Sequence, residues 1–381
     1  MDMKILIACD SFKGCMTSKE ACDNIKKGIL KANPHHTALC YPMADGGEGT
    51  AQVLSYYADA TMVTVSTIDL YKKPIQAQYG WSEEKKLAII DVASCIGLNL
   101  YEKEKRNPMI ATSRGVGIMI QDAIQRGCKK VIIGLGGSGT NDGGLGILKE
   151  FGAVFYDKSR HELQDMAYSL EKIAYIDKRN FSIPEDVEWI VACDVKNHLC
   201  GKEGATYTFG KQKGLYANQF KTVDDAMRWY NQKIQQTFHI NMDALEGSGA
   251  AGGIGAVLLG VFKAKMIPGI QLVIDYSQIK SEIEDADLLI TGEGQTDKQT
   301  LYGKVPFGIG KLAQKYNVPA ICLSGALGQG YEDLYNHGMI GIFSSSDRAM
   351  DFKLALKLGP EKLMNLAFSI LKLLDGWRNQ K

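Results

Sequence analysis

The chain opens with an unbroken apolar run at 5–9, followed at once by Asp10-Ser11-Phe12-Lys13-Gly14. Such a run reads as a strand buried on both faces, as in a parallel sheet. From about Ser18 the period changes. Ala21, Ile25 and Ile29 recur at helical spacing behind Thr17-Ser18-Lys19-Glu20, a capping-box sequence, and Asn33-Pro34 ends the segment. A second short strand is expected at 38–43, running into Ala44-Asp45-Gly46-Gly47-Glu48-Gly49-Thr50. Strand, polar loop, helix, strand, polar loop is the opening of an α/β fold.

Between 61 and 101 the texture changes to consecutive strands at 61–68, 75–81 and 87–92, read as an antiparallel insertion. A helix at 113–125 leads into a strand from Val131. Further buried strands are expected at 189–193 and 287–290, a polar helix at about 221–237 and an apolar helix at 254–262. A helix from 304 and strands at 320–323 and 339–343 complete an α/β tail. The expected division is discontinuous, with 1–60 and 280–381 as one domain and 61–279 inserted as the second. The pattern does not say which of them owns the Val131 strand.

Length fits that division, since 381 residues exceed one ordinary domain. The 44 basic and 43 acidic residues leave a net charge of +1 with no basic block, which removes the electrostatic reason to expect nucleic acid. Nine cysteines include no CxxC pair and are read as reduced thiols. The first residues read as a strand, and no apolar run approaches the ~20 residues of a membrane span. The expected location is cytoplasmic, with no membrane partner.

Five segments share one grammar, in which an apolar strand ends in glycine with acid or lysine. They lie at 10–14, 45–50, 134–144, 194–204 and 292–304. Ligands of α/β sheets bind outside the carboxyl ends of strands. Carboxylates there suit Mg²⁺, while lysines and exposed amides suit phosphate oxygens. That combination points to phosphoryl transfer, where positioning and charge neutralisation do most of the catalysis. A Walker A loop is absent, because 204–211 has the wrong glycine spacing and Gln212 after the lysine.

The residues alone leave a rival open. Gly134-x-Gly136-x-x-Gly139 follows an apolar strand, as in a dinucleotide-binding fingerprint, and would suit a nicotinamide-dependent oxidoreductase. Against it, Asp142 stands near where the pyrophosphate would lie, and a carboxylate there repels it unless a metal intervenes. A non-catalytic nucleotide or sugar-acid sensor is a third reading.

Asp10-Ser11-Phe12-Lys13-Gly14, the 44–50 segment, Gly136-Gly137-Ser138-Gly139-Thr140-Asn141-Asp142-Gly143-Gly144, Ala192-Cys193-Asp194-Val195 and Thr291-Gly292-Glu293-Gly294 with Asp297 and Gly303-Lys304 together resemble the bacterial glycerate kinase family, type 1. The resemblance runs from residue 3 to near the end. It implies two α/β domains, one with a flavodoxin-like (Rossmann-like) parallel sheet and one mixed, with the active site in the cleft between them. It implies ATP and Mg²⁺ as cofactors, D-glycerate as the small-molecule substrate and 2-phosphoglycerate as the usual product. Homo-oligomerisation is left open. Gln295 departs from the family by standing where arginine is common, and Gly139 where alanine is common.

Roles follow from side-chain chemistry. Lys13, Asp45 and Asp194 are the catalytic candidates. Asp10, Ser11, Gly46, Gly47, Gly136, Gly137, Ser138, Thr140, Asn141, Gly143, Asn197 and Lys304 are candidates for substrate or nucleotide contact. Glu48, Asp142, Glu293 and Asp297 are candidates for the metal.

Overall fold

The strand β1 (Lys4–Cys9) is buried from Ile5 onward, as its apolar run requires. The helix α1 (Ser18–Ala32) begins with the expected reciprocal cap, in which Glu20 N–H donates to Thr17 Oγ1 (3.2 Å) and Thr17 N–H to the Glu20 carboxylate (2.8 Å). It buries Ala21, Cys22, Ile25 and Ile29. The next strand, β2 (Thr37–Cys40), pairs in parallel with β1. His36, between α1 and β2, is buried. Its ring accepts the Met3 amide at Nδ1 (3.1 Å) and meets Asp375 at Nε2 (3.0 Å).

The computed structural model describes residues 2–378 and Gln380. They form two units. Unit 1 runs to Asp45 and resumes at Pro268, and unit 2 is Gly46–Ile267.

Unit 2 contains α2 (Thr50–Ala58), β3 (Thr61–Ile68), β4 (Pro74–Ser82), β5 (Leu87–Asp91), α3 (Arg114–Gln125), β6 (Lys130–Gly134), α4 (Leu145–Glu150), β7 (Val154–Tyr156), β8 (Tyr175–Asp177), β9 (Glu188–Ala192), α5 (Ala205–Lys213), α6 (Phe220–Phe238) and β10 (Lys265–Ile267). Its six-stranded sheet has the order β10-β9-β6-β5-β4-β3. The β3–β4 and β4–β5 pairs are antiparallel, as expected, and the others parallel. The Val131 strand is therefore β6, a central strand of unit 2.

Unit 1 resumes with α7 (Gly269–Ser277), β11 (Leu288–Thr296), α8 (Val305–Tyr316), β12 (Ala320–Leu327), β13 (Met339–Ser344) and α9 (Phe352–Arg378). All pairs of its sheet are parallel, in the order β13-β12-β11-β1-β2. Counted along this unit, that order is 2-1-3-4-5, the doubly wound flavodoxin-like arrangement. The long α9 lies against α1 so closely that a Cβ at Gly28 would stand 2.3 Å from the Met364 carbonyl oxygen.

Two expectations shift. The expected boundaries at 60/61 and 279/280 lie at 45/46 and 267/268. The reason for the first is that α2 is anchored to unit 2, its opening amides bonded to Asp91 at the end of β5. The segment 291–296, read as a loop, continues β11, because its backbone pairs with β12 as far as Thr296↔Leu327.

Candidate active site

In unit 1 the chain leaves β1 toward β2 on one side, while β11, β12 and β13 build outward on the other. The carboxyl ends of β1 and β11 thus flank the switch point of the sheet, where open α/β sheets bind ligands. Asp10 stands there, its amide bonded to the Gly292 carbonyl (2.9 Å) and its carboxylate accepting the Ser11 amide (2.6 Å). Burial pushes its carboxyl up to about 8, the charges of Asp45 and Glu293 add to the shift, and the Ser11 amide and Lys13 oppose it. Lys13 is exposed and has no ion pair among the described residues. The backbone of β11 passes beside it, close enough that a Cβ at Gly294 would lie 3.3 Å from Lys13 N.

Glu293 is buried on β11. It accepts the hydroxyls of Thr300 (2.6 Å) and Thr296 (3.2 Å) on one oxygen and faces Lys304 (3.4 Å) with the other. Burial raises its pKa against these partners. Asp297 caps the following turn by accepting the Gln299 amide (2.8 Å), and Gln295 donates to its other oxygen (3.0 Å). Asp10, Ser11, Lys13, Asp45, Glu293, Asp297 and Lys304 are therefore all residues of unit 1.

In unit 2 the carboxyl ends of three parallel strands are level, with Asp91, Gly134 and Ala192 in register. The 135–144 loop leaves from the middle strand. Gly136 N–H donates to the Gly46 carbonyl (3.2 Å), and Gly139 N–H to Ile96 (2.7 Å). A Cβ at Gly136 would stand 2.4 Å from Gly47 Cα, so two glycine segments pack here backbone to backbone. Gly137 has φ +73°, which favours glycine by itself. The amides of Gly137, Ser138, Thr140 and Asn141 donate to no acceptor among the described residues. Unsatisfied donors clustered on a glycine-rich loop suit an anion.

Asp142, which was puzzling beside such a loop, is fully buried. It accepts Ser113 N (2.7 Å), Ser113 Oγ (2.8 Å), Gly144 N (3.1 Å) and Gly146 N (3.3 Å). Burial pushes its carboxyl up to about 6 despite these bonds. The carboxylate joins the starts of α3 and α4, and this bonding gives it a capping task where a metal contact was expected. Gly143 donates to the Gly252 carbonyl (2.9 Å). Asn197 braces its own loop through the Glu203 carbonyl (2.6 Å) and Thr208 Oγ1 (3.3 Å). Asp194 is half-buried just beyond β9, while Glu48 is exposed and accepts Asn99 Nδ2 (2.8 Å).

Two residues of this edge were not among the expected ones. Asp91 binds the amides that open α2. Lys213 is buried at the end of α5 and reaches the loop. A surface groove of about 650 Å³ around Arg160, Tyr175 and Lys233 contains none of the site residues. Among the described residues no three or more His, Cys, Asp or Glu are grouped to hold a metal.

The model of a family described as the glycerate kinase family matches residues 5–375. The chain belongs to the glycerate kinase family. A glycerate kinase of Halalkalibacterium halodurans is 36% identical over 374 residues, 98% of each chain. The glycerate 2-kinase of Escherichia coli is 36% identical over 343 residues, 90% of each. A crystal structure assigned as glycerate kinase 2 of Salmonella typhimurium LT2 superposes with a TM-score of 0.85 at 35% identity, covering 100% of both chains. The expected family and α/β class are thereby borne out. The dinucleotide fingerprint is a coincidence of spacing, since the next helix starts only at Leu145, well past its third glycine.

Proposed function

We infer that the protein transfers the γ-phosphoryl group of ATP to a hydroxyl of D-glycerate, giving 2-phosphoglycerate. The family match over residues 5–375 carries this reading. The name of the E. coli relative, glycerate 2-kinase, supports the 2-hydroxyl as acceptor. No described helix is long and apolar enough to cross a membrane, and all nine cysteines are free thiols, which fits work in a reducing cytoplasm.

The amides of Gly137, Ser138, Thr140 and Asn141 are assigned to nucleotide phosphate. Lys13 and Lys304 are assigned to phosphate or to the substrate carboxylate. Mg²⁺ is usually held by one or two carboxylates together with substrate phosphates, so a kinase needs no cage of three acids. Asp10 and Glu293 fit that pattern, because both are buried acids whose ionisation is opposed and which a cation would relieve. Asp297 remains a further candidate, through the oxygen facing Gln295, and Glu48 a peripheral one. When bound, Mg²⁺ supplies charge neutralisation to the phosphates. Asp45 and Asp194 are the acids proposed to take the hydroxyl proton, Asp194 just beyond the buried strand β9 and Asp45 in the loop that follows β2.

Phosphorus NMR of a reaction with ATP, Mg²⁺ and D-glycerate tests this reading. A phosphomonoester signal split by one proton marks the 2-isomer. A signal split by two protons gives the 3-isomer and refutes the assigned hydroxyl, and no new phosphomonoester refutes the activity.

A further inference from the structure

Helix α5 lays two polar residues on one face, Thr206 and Lys213, seven positions apart and so nearly two full turns. Both are buried, and both meet the glycine-rich loop. Thr206 Oγ1 accepts Asn141 Nδ2 (3.1 Å). Lys213 Nζ donates to the Thr140 carbonyl (2.7 Å) and to Ser138 Oγ (3.3 Å). Lys213 is only 2% exposed, so it does not itself meet a ligand in this structure.

A trans peptide points its C=O and N–H in opposite directions. Drawing the Thr140 carbonyl toward Lys213 therefore turns the Asn141 N–H away from the lysine. That N–H has no acceptor among the described residues. Thr140 Oγ1 and Asn141 Oδ1 are also buried without partners. Buried polar atoms of native proteins are nearly always paired, so unpaired ones concentrated on one loop call for a ligand. A buried ammonium is expensive, and an apolar residue of similar size would serve packing better. Burial pushes the Lys213 amine down to about 7, against the charge of Asp142, which shows how poorly the site solvates it.

We propose that Lys213 is a positioning residue for the anion-binding loop, holding Thr140 and Ser138 so that the amides of Gly137, Ser138, Thr140 and Asn141 stay arrayed for the phosphate chain of a nucleotide. The proposal rests on the reading of this loop as the nucleotide site.

The test is calorimetric titration of the full chain with the ATP analogue AMP-PNP and Mg²⁺, alongside thermal melting. Lys213→Met keeps the volume and removes the charge. Its affinity should fall about 10-fold or more, the equivalent of a charged hydrogen bond, while Tm stays level or rises. Lys213→Gln, which keeps a donor, should recover part of the loss. Affinity within two-fold of wild type in Lys213→Met overturns the proposal. So does a Lys213→Met chain with lowered Tm whose affinity is not partly recovered by Lys213→Gln, because the residue is then structural. Gly137→Ala, strained by its positive φ, separates the two readings. Binding lost there but kept in Lys213→Met rejects the lysine's task alone, and binding kept in both rejects the nucleotide loop as well.

Discussion

Asp91 accepts the amide of Ala51 on both carboxylate oxygens, at 3.0 and 3.1 Å, and the Gly49 amide at 3.0 Å. Gly49 is the residue before α2 and carries no side chain to cap it. A carboxylate at the end of β5 does so from 40 residues away. Asp91→Ala should lower unfolding stability by about 1–3 kcal/mol, the loss of a cap with charged acceptors. Urea denaturation checks it. A change under ~0.5 kcal/mol, the scale of an ordinary surface substitution, would mean that water replaces the carboxylate.

Gly136→Ala should damage the same edge by a different route. The added Cβ would lie 2.4 Å from Gly47 Cα, where only backbone can give way. Overpacking of this kind costs about 1–3 kcal/mol, and the two glycine segments must separate. Melting temperature should fall, and KM for ATP should rise with KM for glycerate little changed. An unchanged melting curve would show that the segments part freely.

Lys213 also makes a pH prediction. Its folded-state value is about 7 against an ordinary 10.5. Between those values the unfolded chain binds more protons than the folded one, so stability from this group rises with pH. The penalty of burying the charge is full below about 7 and fades toward 10.5. Asp142 is the one charge acting on the amine, and it ionises above about 6. Lys213→Met should therefore gain most over wild type at pH 6 and least at pH 9, as read by melting temperature. An advantage that grows with pH would contradict the buried-amine geometry.

Asp45 and Asp194 are the two residues proposed as the base. General-base help is worth roughly 10²–10⁴ in rate. The Asn variants of each should be assayed for kcat across Mg²⁺ concentrations. The base's variant stays slow at every concentration with glycerate affinity kept, whereas the variant of a residue that assists the metal recovers partly at high Mg²⁺. EDTA should abolish turnover of the wild type and Mg²⁺ restore it. If both Asn variants keep more than about a tenth of kcat, well inside that range, neither residue carries the proton.

Much of this was legible where a signal is local. The Thr17–Glu20 reciprocal cap, the buried run of β1 and the antiparallel β3–β5 pairs follow from period and capping chemistry. The end of β11 did not, because Thr291-Gly292-Glu293-Gly294 carries no apolar pattern. Gly292 is required there, since a Cβ would stand 2.1 Å from the Leu323 carbonyl oxygen. The 27-residue α9 contains Pro360, which reads as a break. Site residues divide the same way. Asp10, just past β1, and Glu293, within β11, stand in motifs that announce them. Asp91 and Lys213 act on partners 40 and 73 residues away, and nothing next to them in the chain marks the contact.

The central claim is the reaction itself. Coupled ADP release should be measured with D-glycerate, L-glycerate, D-lactate and glycerol, with ATP and Mg²⁺ saturating. The account predicts turnover with D-glycerate at a kcat/KM at least about 100-fold above lactate, which keeps the 2-hydroxyl but lacks the 3-hydroxyl, and glycerol, which lacks the carboxylate. No ADP release with D-glycerate above the substrate-free rate, or NADH binding in place of ATP, would contradict it.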